Sequence, residues 1–383
     1  MRELLTDLLG WWEVETPFAL ATVVATSASV PRRPGAVMAV NTAGEVLGNV
    51  SGGCVEGAVY DTARRVLTTG EPALETFGFS ADDAFAVGLT CGGTISVFVQ
   101  RIDPVTAPDF PAVAVAVAAA EPVAVATVIA GPARVGVRRG VWLDRVAGTF
   151  GTESLDAAVT EDARAMLVQG RSGQRHYGPA GERRCDTRRR DEWRCDTVTV
   201  FVQSFVPPAR MLVFGAIDFA RAVTRVGVFL GYHVTVCDAR GVFATRRRFP
   251  EAHEVVVEWP HRYLKRTAVD PSTVICVLTH DPKFDVPLLE VALRTRAGYV
   301  GAMGSRRAHA DRLTRLRDAG LTEVELARIR APIGLDLGAR TPEETAVSIA
   351  AEIIQNRRRG SGQPLSTTAG PIHRCGTGEQ GIW

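Results

Sequence analysis

Two short stretches set a cysteine against paired glycines: Ser51-Gly52-Gly53-Cys54 and Thr90-Cys91-Gly92-Gly93. Glycine lets a backbone take positive φ and come close to a ligand. A turn of this kind just before a helix points its N–H groups outward as an anion nest, and the helix dipole favours a thiolate there. Cys54 fits that description, with Glu56 in the first turn of the helix that follows, and Cys91 stands just before a strand. If the two loops converge, they form a small pocket with one or two nucleophilic sulfurs among many backbone donors. Cys54 and Cys91 are therefore the candidate reactive thiols and soft metal contacts, with Ser51, Gly52, Gly53, Glu56, Thr90, Gly92 and Gly93 as the binding surroundings. A lone cysteine is more often a packing residue. The mirrored cysteine–glycine settings are what favour chemistry. No triad or acid–base pair accompanies them, so no firm catalytic residue is assigned.

A second group of chemistry-bearing loops lies further along. Thr279 to Asp285 holds His280, Asp281 and Lys283, and Gly301 to Arg307 ends in Ser305, Arg306 and Arg307 at an expected helix start, a setting that suits phosphate. Both follow short buried-type strands. From Met211 onward strands and helices alternate, with strands expected at 211–215, 232–238, 254–258, 273–278 and 299–301. That alternation predicts a doubly wound parallel sheet, whose ligands sit outside the strand C-termini. Gly215 opens a dinucleotide-type turn, and Asp238 stands where a ribose-binding acid would. Ile217 occupies the place of the second glycine and should sit where a pyrophosphate would lie, which argues against NAD(P) as a ligand. The stretch from Pro332 adds a Gly-rich loop before a helix capped by Thr341-Pro-Glu-Glu344.

The elements that must position the cysteines form a duplicated unit. Pro17-Phe-Ala-Leu-Ala-Thr-Val-Val-Ala is repeated as Pro122-Val-Ala-Val-Ala-Thr-Val-Ile-Ala, and Asp61 to Gly70 as Glu161 to Gly170. Phe98-Val-Gln100 returns as Phe201-Val-Gln203. Each copy reads strand, hairpin, helix, loop, strand. The copies differ where chemistry would sit: Gly151-Thr-Glu-Ser154 replaces the Gly-Gly-Cys turn, and Arg194-Cys-Asp-Thr197 the Cys-Gly-Gly turn. Copy one is thus the expected working site and copy two a scaffold. The expected fold class is α/β, an N-terminal duplicated α+β module followed by a Rossmann-like doubly wound parallel sheet. Its divisions are 1–105, 106–207 and 208–357, with a mobile tail at 358–383.

Composition bounds the function. Of 383 residues, 46% are apolar, enough for more than one core. The 44 basic and 42 acidic residues nearly cancel, which argues against nucleic acid as a partner. No Gly-Lys-Ser/Thr sequence exists, so a P-loop nucleotidase is excluded. The longest apolar run, 112–120, is too short to span a bilayer. Seven scattered cysteines and an N-terminus carrying Glu3 and Asp7 suit the cytoplasm rather than secretion.

Taken together, Val50-Ser-Gly-Gly-Cys-Val-Glu-Gly57, Gly88-Leu-Thr-Cys-Gly-Gly93, Leu278-Thr-His-Asp-Pro-Lys283, Tyr299-Val-Gly-Ala-Met-Gly-Ser-Arg-Arg307 and Pro332-Ile-Gly-Leu-Asp-Leu-Gly-Ala-Arg340 resemble the XdhC/CoxI family, the accessory proteins of xanthine dehydrogenase and carbon monoxide dehydrogenase. The resemblance implies a chaperone that binds molybdenum cofactor, protects it during sulfuration by a cysteine desulfurase, and delivers it to the large subunit of a molybdoenzyme. A homodimer belongs to the same expectation. Family roles at the cofactor site would fall on Cys54, Cys91 and their glycines. Soft sulfur suits molybdenum, and arginines suit the pterin phosphate. The competing reading from the residues alone is an NAD(P)-linked oxidoreductase using Cys54 and His280.

Overall fold

The computed structural model describes residues 2–27, 32–78, 93–178, 180–184 and 196–369. Thr90, Cys91, Gly92, Cys185, Cys195, Cys375 and the tail beyond residue 369 lie outside them. The chain divides into two compact units between Pro207 and Pro208.

The N-terminal unit opens with helix α1 (Leu5–Glu13). Copy one follows: β1 (Phe18–Ser27), β2 (Val37–Asn41), β3 (Val46–Gly48), α2 (Glu56–Thr69), β4 (Ala73–Phe77) and β5 (Thr94–Ile102). Helix α3 (Phe110–Ala118) connects it to copy two. There β6 (Val123–Ala130), β7 (Arg138–Trp142), β8 (Val146–Ala147), α4 (Glu153–Val168), β9 (Gly173–Tyr177), β10 (Arg183–Arg184) and β11 (Val198–Phe205) repeat the sequence of elements. The sheet orders match: β3-β2-β1-β5-β4 in one, and β8-β7-β6-β11-β9 with β10 added in the other.

Strand β1 shows how residue order makes this layering. Successive side chains alternate across a strand. Ala19, Ala21 and Val23 pack under α2 with Val59, Ala63 and Val66. Phe18 and Leu20 turn the other way, against α1 and α3, and Val24 meets Phe98, Ile129 and Phe201 from both copies. Small residues on the helix side let α2 approach closely. Gly70, at φ 74°, ends α2 in the left-handed conformation that glycine tolerates best. The apolar run at 112–120 is largely α3, buried through Val113, Ala114, Ala116 and Val117.

The C-terminal unit contains β12 (Arg210–Phe214), α5 (Asp218–Phe229), β13 (His233–Asp238), β14 (Glu254–Val257), α6 (Pro260–Arg266), β15 (Val274–Val277), α7 (Pro282–Arg294), β16 (Tyr299–Ala302), α8 (Arg306–Asp318), α9 (Glu323–Leu326), β17 (Ile329–Arg330) and α10 (Pro342–Arg358). All strand pairs are parallel, in the order β14-β13-β12-β15-β16-β17. This is the Rossmann order, with its switch point between β12 and β15. Helices α5 and α10 cover one face, and α6, α7 and α8 the other. Thr341 and Glu344 form the expected capping box at the start of α10. Among the described residues, no helix is long and apolar enough to cross a membrane.

Candidate functional site

The turn between β3 and α2 is pinned at both ends, because Val50 and Val55 are buried in the cluster beneath α2. Between them Gly52 and Gly53 take φ of 103° and 128°, which only glycine adopts without strain. A Cβ at either position would meet nothing, so the conformation requires glycine there, not crowding. Gly52, Gly53 and Cys54 stand exposed at the tip. The other cysteines among the described residues, Cys237 and Cys276, are buried, and burial pushes both thiols up to about 12. Cys54 is thus the thiol placed where a ligand can reach it.

The turn differs from the open anion nest expected of it. Its donors are occupied by the carboxylate of Glu56. Oε1 accepts from the N–H groups of Ser51 at 2.8 Å and Gly52 at 2.9 Å. Oε2 accepts from Ser51 Oγ at 2.6 Å, Gly53 N at 2.8 Å and Val55 N at 3.2 Å. Ser51 Oγ in turn accepts from Cys54 N at 3.1 Å. Partial burial pulls the Glu56 carboxyl upward, but the hydrogen bonds from Ser51 and Gly52 outweigh it and hold the group at about 2. Glu56 therefore shapes the loop that presents Cys54. The duplication carried the signal for this role. Copy two lacks the cysteine but keeps an acid, Asp156, whose Oδ1 accepts from Phe150 N at 2.7 Å in the corresponding turn.

A pH dependence follows. The folded-state value of Glu56 lies below its ordinary 4.5. Its contribution is therefore complete above pH 4.5 and is lost as pH falls towards 2. Glu56→Gln is expected to destabilise the N-terminal unit by about 1–2 kcal/mol at pH 7, the scale of a lost helix cap. That difference should shrink in acid. Urea unfolding at pH 7 and pH 3 checks both; equal losses at the two pH values would show that the carboxylate charge is not what holds the turn.

Gly93 is buried immediately before β5, whose second residue, Ile95, belongs to the same cluster as Val50 and Val55. Its companions Thr90, Cys91 and Gly92 lie outside the described residues, so the convergence of the two loops stays an expectation. Among the described residues, no group of three or more His, Cys, Asp or Glu side chains could hold a metal ion.

In the C-terminal unit the expected loops follow the parallel strands, at one end of the sheet. Gly215, at φ 108°, is required because a Cβ would come within 3.0 Å of Thr279 N on the neighbouring loop. Asp238 is 2% exposed. Its Oδ2 accepts from Ala216 N and Arg240 Nη2, each at 2.8 Å, and its Oδ1 from Arg240 N at 2.9 Å and Nε at 3.0 Å. Burial raises its pKa, yet the bonds from Arg240 and Ala216 bring it below the usual range. The acid that would bind a ribose is already satisfied within the protein. Ile217 is partly buried and packs against the core. Calorimetric titration with NAD+ and NADP+ is expected to show no saturable binding, and micromolar affinity would mean that Arg240 yields its partner.

The remaining residues divide by task. Asp281 caps α7, accepting from Lys283 N at 3.1 Å and pairing with Lys283 Nζ at 3.0 Å. Ser305 caps α8, accepting from Ala308 N at 3.1 Å. His280, Arg306 and Arg307 are exposed, and neither arginine forms an ion pair among the described residues. Sequence reasoning missed the pair beneath them: Arg312 Nη2 donates to Asp285 Oδ2 at 3.0 Å and to the Met303 carbonyl at 2.8 Å, and Thr279 Oγ1 donates to Asp285 Oδ1. Burial raises the Asp285 carboxyl even so.

Comparison with known proteins agrees with both units. The sequence profile of the XdhC Rossmann domain matches residues 211–353. That of the XdhC and CoxI family matches residues 11–78 and 116–178, which fall on corresponding elements of the two copies. The chain is 27% identical to a Bacillus subtilis (strain 168) protein described as a probable xanthine dehydrogenase subunit, over 89% of this chain and 93% of that protein. It is 25% identical to the molybdenum cofactor insertion chaperone PaoD of Escherichia coli (strain K12), over 88% of this chain and 83% of PaoD. A crystal structure described as a xanthine dehydrogenase from Bacillus halodurans shares the fold, with a TM-score of 0.70 at 23% identity over 96% of this chain and 97% of that one. Duplicated module and Rossmann sheet thus agree with these matches: the chain belongs to the XdhC and CoxI family.

Proposed function

We propose that this chain is a maturation factor that binds molybdenum cofactor and inserts it into a molybdoenzyme of the xanthine dehydrogenase type. The observation that carries the reading is its likeness to the insertion chaperone PaoD across 88% of its length. The chemistry of the donors fits the group. When bound, the cofactor would supply molybdenum, which prefers soft sulfur, and an anionic phosphate. Cys54 holds an exposed thiol on a turn that Glu56 keeps in one shape, and Cys91 is the second proposed sulfur contact. Glu56 occupies the donors of that turn, so the turn itself is not assigned the phosphate. In the C-terminal unit, taken by itself, Arg306 and Arg307, exposed at the start of α8, are a separate proposed anion-binding surface, with Ser305, Lys283, Asp281 and His280 on the loops of the same sheet end. In the finer form of the proposal the chain shields the cofactor during sulfuration by a cysteine desulfurase, then docks on the large subunit of the client. A homodimer working in the cytoplasm completes the proposal.

Deleting the gene tests it. The client polypeptide should accumulate with little molybdenum and little activity, and both should return when the chain is supplied again. A fully loaded client in the deletion strain would contradict the proposal.

A further inference from the structure

Where the two sheets of the N-terminal unit meet, a cavity of about 20 Å³ lies among β1, β5, β6, β7 and β11. Its walls come in pairs from the two copies: Thr22 with Thr127, Gln100 with Gln203, Phe98 with Phe201. The pairing breaks at one place. Thr22 lies opposite Val37 on β2, whereas Thr127 lies opposite Arg138 on β7. Copy two therefore brings a guanidinium where copy one has an apolar side chain.

The Arg138 side chain is 4% exposed. Its Nη2 donates to Asp109 Oδ2 at 3.1 Å, but Nε and Nη1 are buried with no partner among the described residues. The side chains of Thr22, Thr127 and Gln100 also make no hydrogen bond among the described residues, while Gln203 Nε2 donates to the Gly35 carbonyl at 2.9 Å. So many polar groups without a protein partner around one small space invite a guest, since buried donors and acceptors in native interiors are almost always paired. The volume exceeds the roughly 10–15 Å³ that one water needs.

We propose that this seam is a hydration site, in which ordered water bridges Arg138, Thr22, Thr127 and Gln100. The guest is a neutral molecule. Asp109, 7% exposed on its side chain, already balances the Arg138 charge, and a halide would add an uncompensated buried negative charge. Water also suits the mixed lining, since it accepts from the guanidinium and donates to hydroxyl and amide oxygens, whereas an anion only accepts. Phe98, Phe201, Val24 and Ile129 close the space with apolar surface.

The full-length Thr22→Val/Thr127→Val variant tests this by sign. Valine keeps nearly the shape of threonine. In a dry cavity the change removes two unpaired hydroxyls and raises Tm. In a hydrated one it strips the water of its partners and leaves Arg138 unmet, so Tm should fall by about 2–6 °C. An unchanged or raised Tm overturns the proposal. A crystal of the full-length wild type soaked in bromide gives the second reading. Solvent density in the cavity without an anomalous bromide peak is expected; a bromide peak, or a dry cavity, overturns it.

Discussion

Arg312→Met is expected to destabilise the C-terminal unit by about 3–5 kcal/mol, because it leaves the buried Asp285 carboxylate without its counter-charge. Both side chains are 6% exposed, and the pair joins α7 to α8 directly below the loops that carry His280 and Ser305. In the variant only Thr279 Oγ1 would still serve the carboxylate. Asp285 would then have to take up a proton, so the variant should regain stability as pH is lowered, opposite in direction to the loss expected for the Glu56 turn. Replacing both partners by apolar residues, as in Asp285→Leu/Arg312→Met, should cost far less than the single change, since no charge is left stranded. Urea unfolding of the three proteins decides. A single variant as stable as the double one would show that the pair adds nothing to the unit.

Cys54→Ser is expected to leave the fold intact while lowering retained molybdenum at least about tenfold, the range seen when metal sites lose one supporting group. Serine nearly matches cysteine in volume, and the side chain is exposed at the tip of its turn. The clamp of Ser51, Gly52, Gly53 and Val55 on Glu56 does not use the thiol. Any loss should therefore appear in metal content and client activation and not in Tm. Undiminished molybdenum with full activation would leave Cys54 outside the site.

Much of this architecture is legible in the order of the amino acids. The repeat of Pro17-Phe-Ala-Leu-Ala as Pro122-Val-Ala-Val-Ala marks equivalent strands, since β1 and β6 hold the same place in their sheets. The β12 and β13 strands and the capping box at Thr341 are equally local, resting on short apolar runs and on one side chain three residues from its partner. What sequence reasoning misses depends on which atoms meet. Glu56 looks like an ordinary first-turn acid until the positive φ of Gly52 and Gly53 folds the loop back over its carboxylate. Asp238 lies where a ribose-binding acid belongs, yet Arg240, two residues on, has already taken it. The pairs Asp285–Arg312 and Asp109–Arg138 join residues far apart in the chain. No periodicity announces them, because burial decides the partner of a charged side chain and tertiary packing decides burial.

The central claim is that this chain carries molybdenum cofactor. Its most direct test is to purify the full-length protein from cells supplied with molybdate, then measure molybdenum by mass spectrometry and the pterin by fluorescence after oxidation. The account predicts that both are present, in equal amounts and approaching one per chain in the wild type, and that both fall in Cys54→Ser. Wild-type protein that carries neither, drawn from cells whose molybdoenzymes are fully loaded, would contradict it.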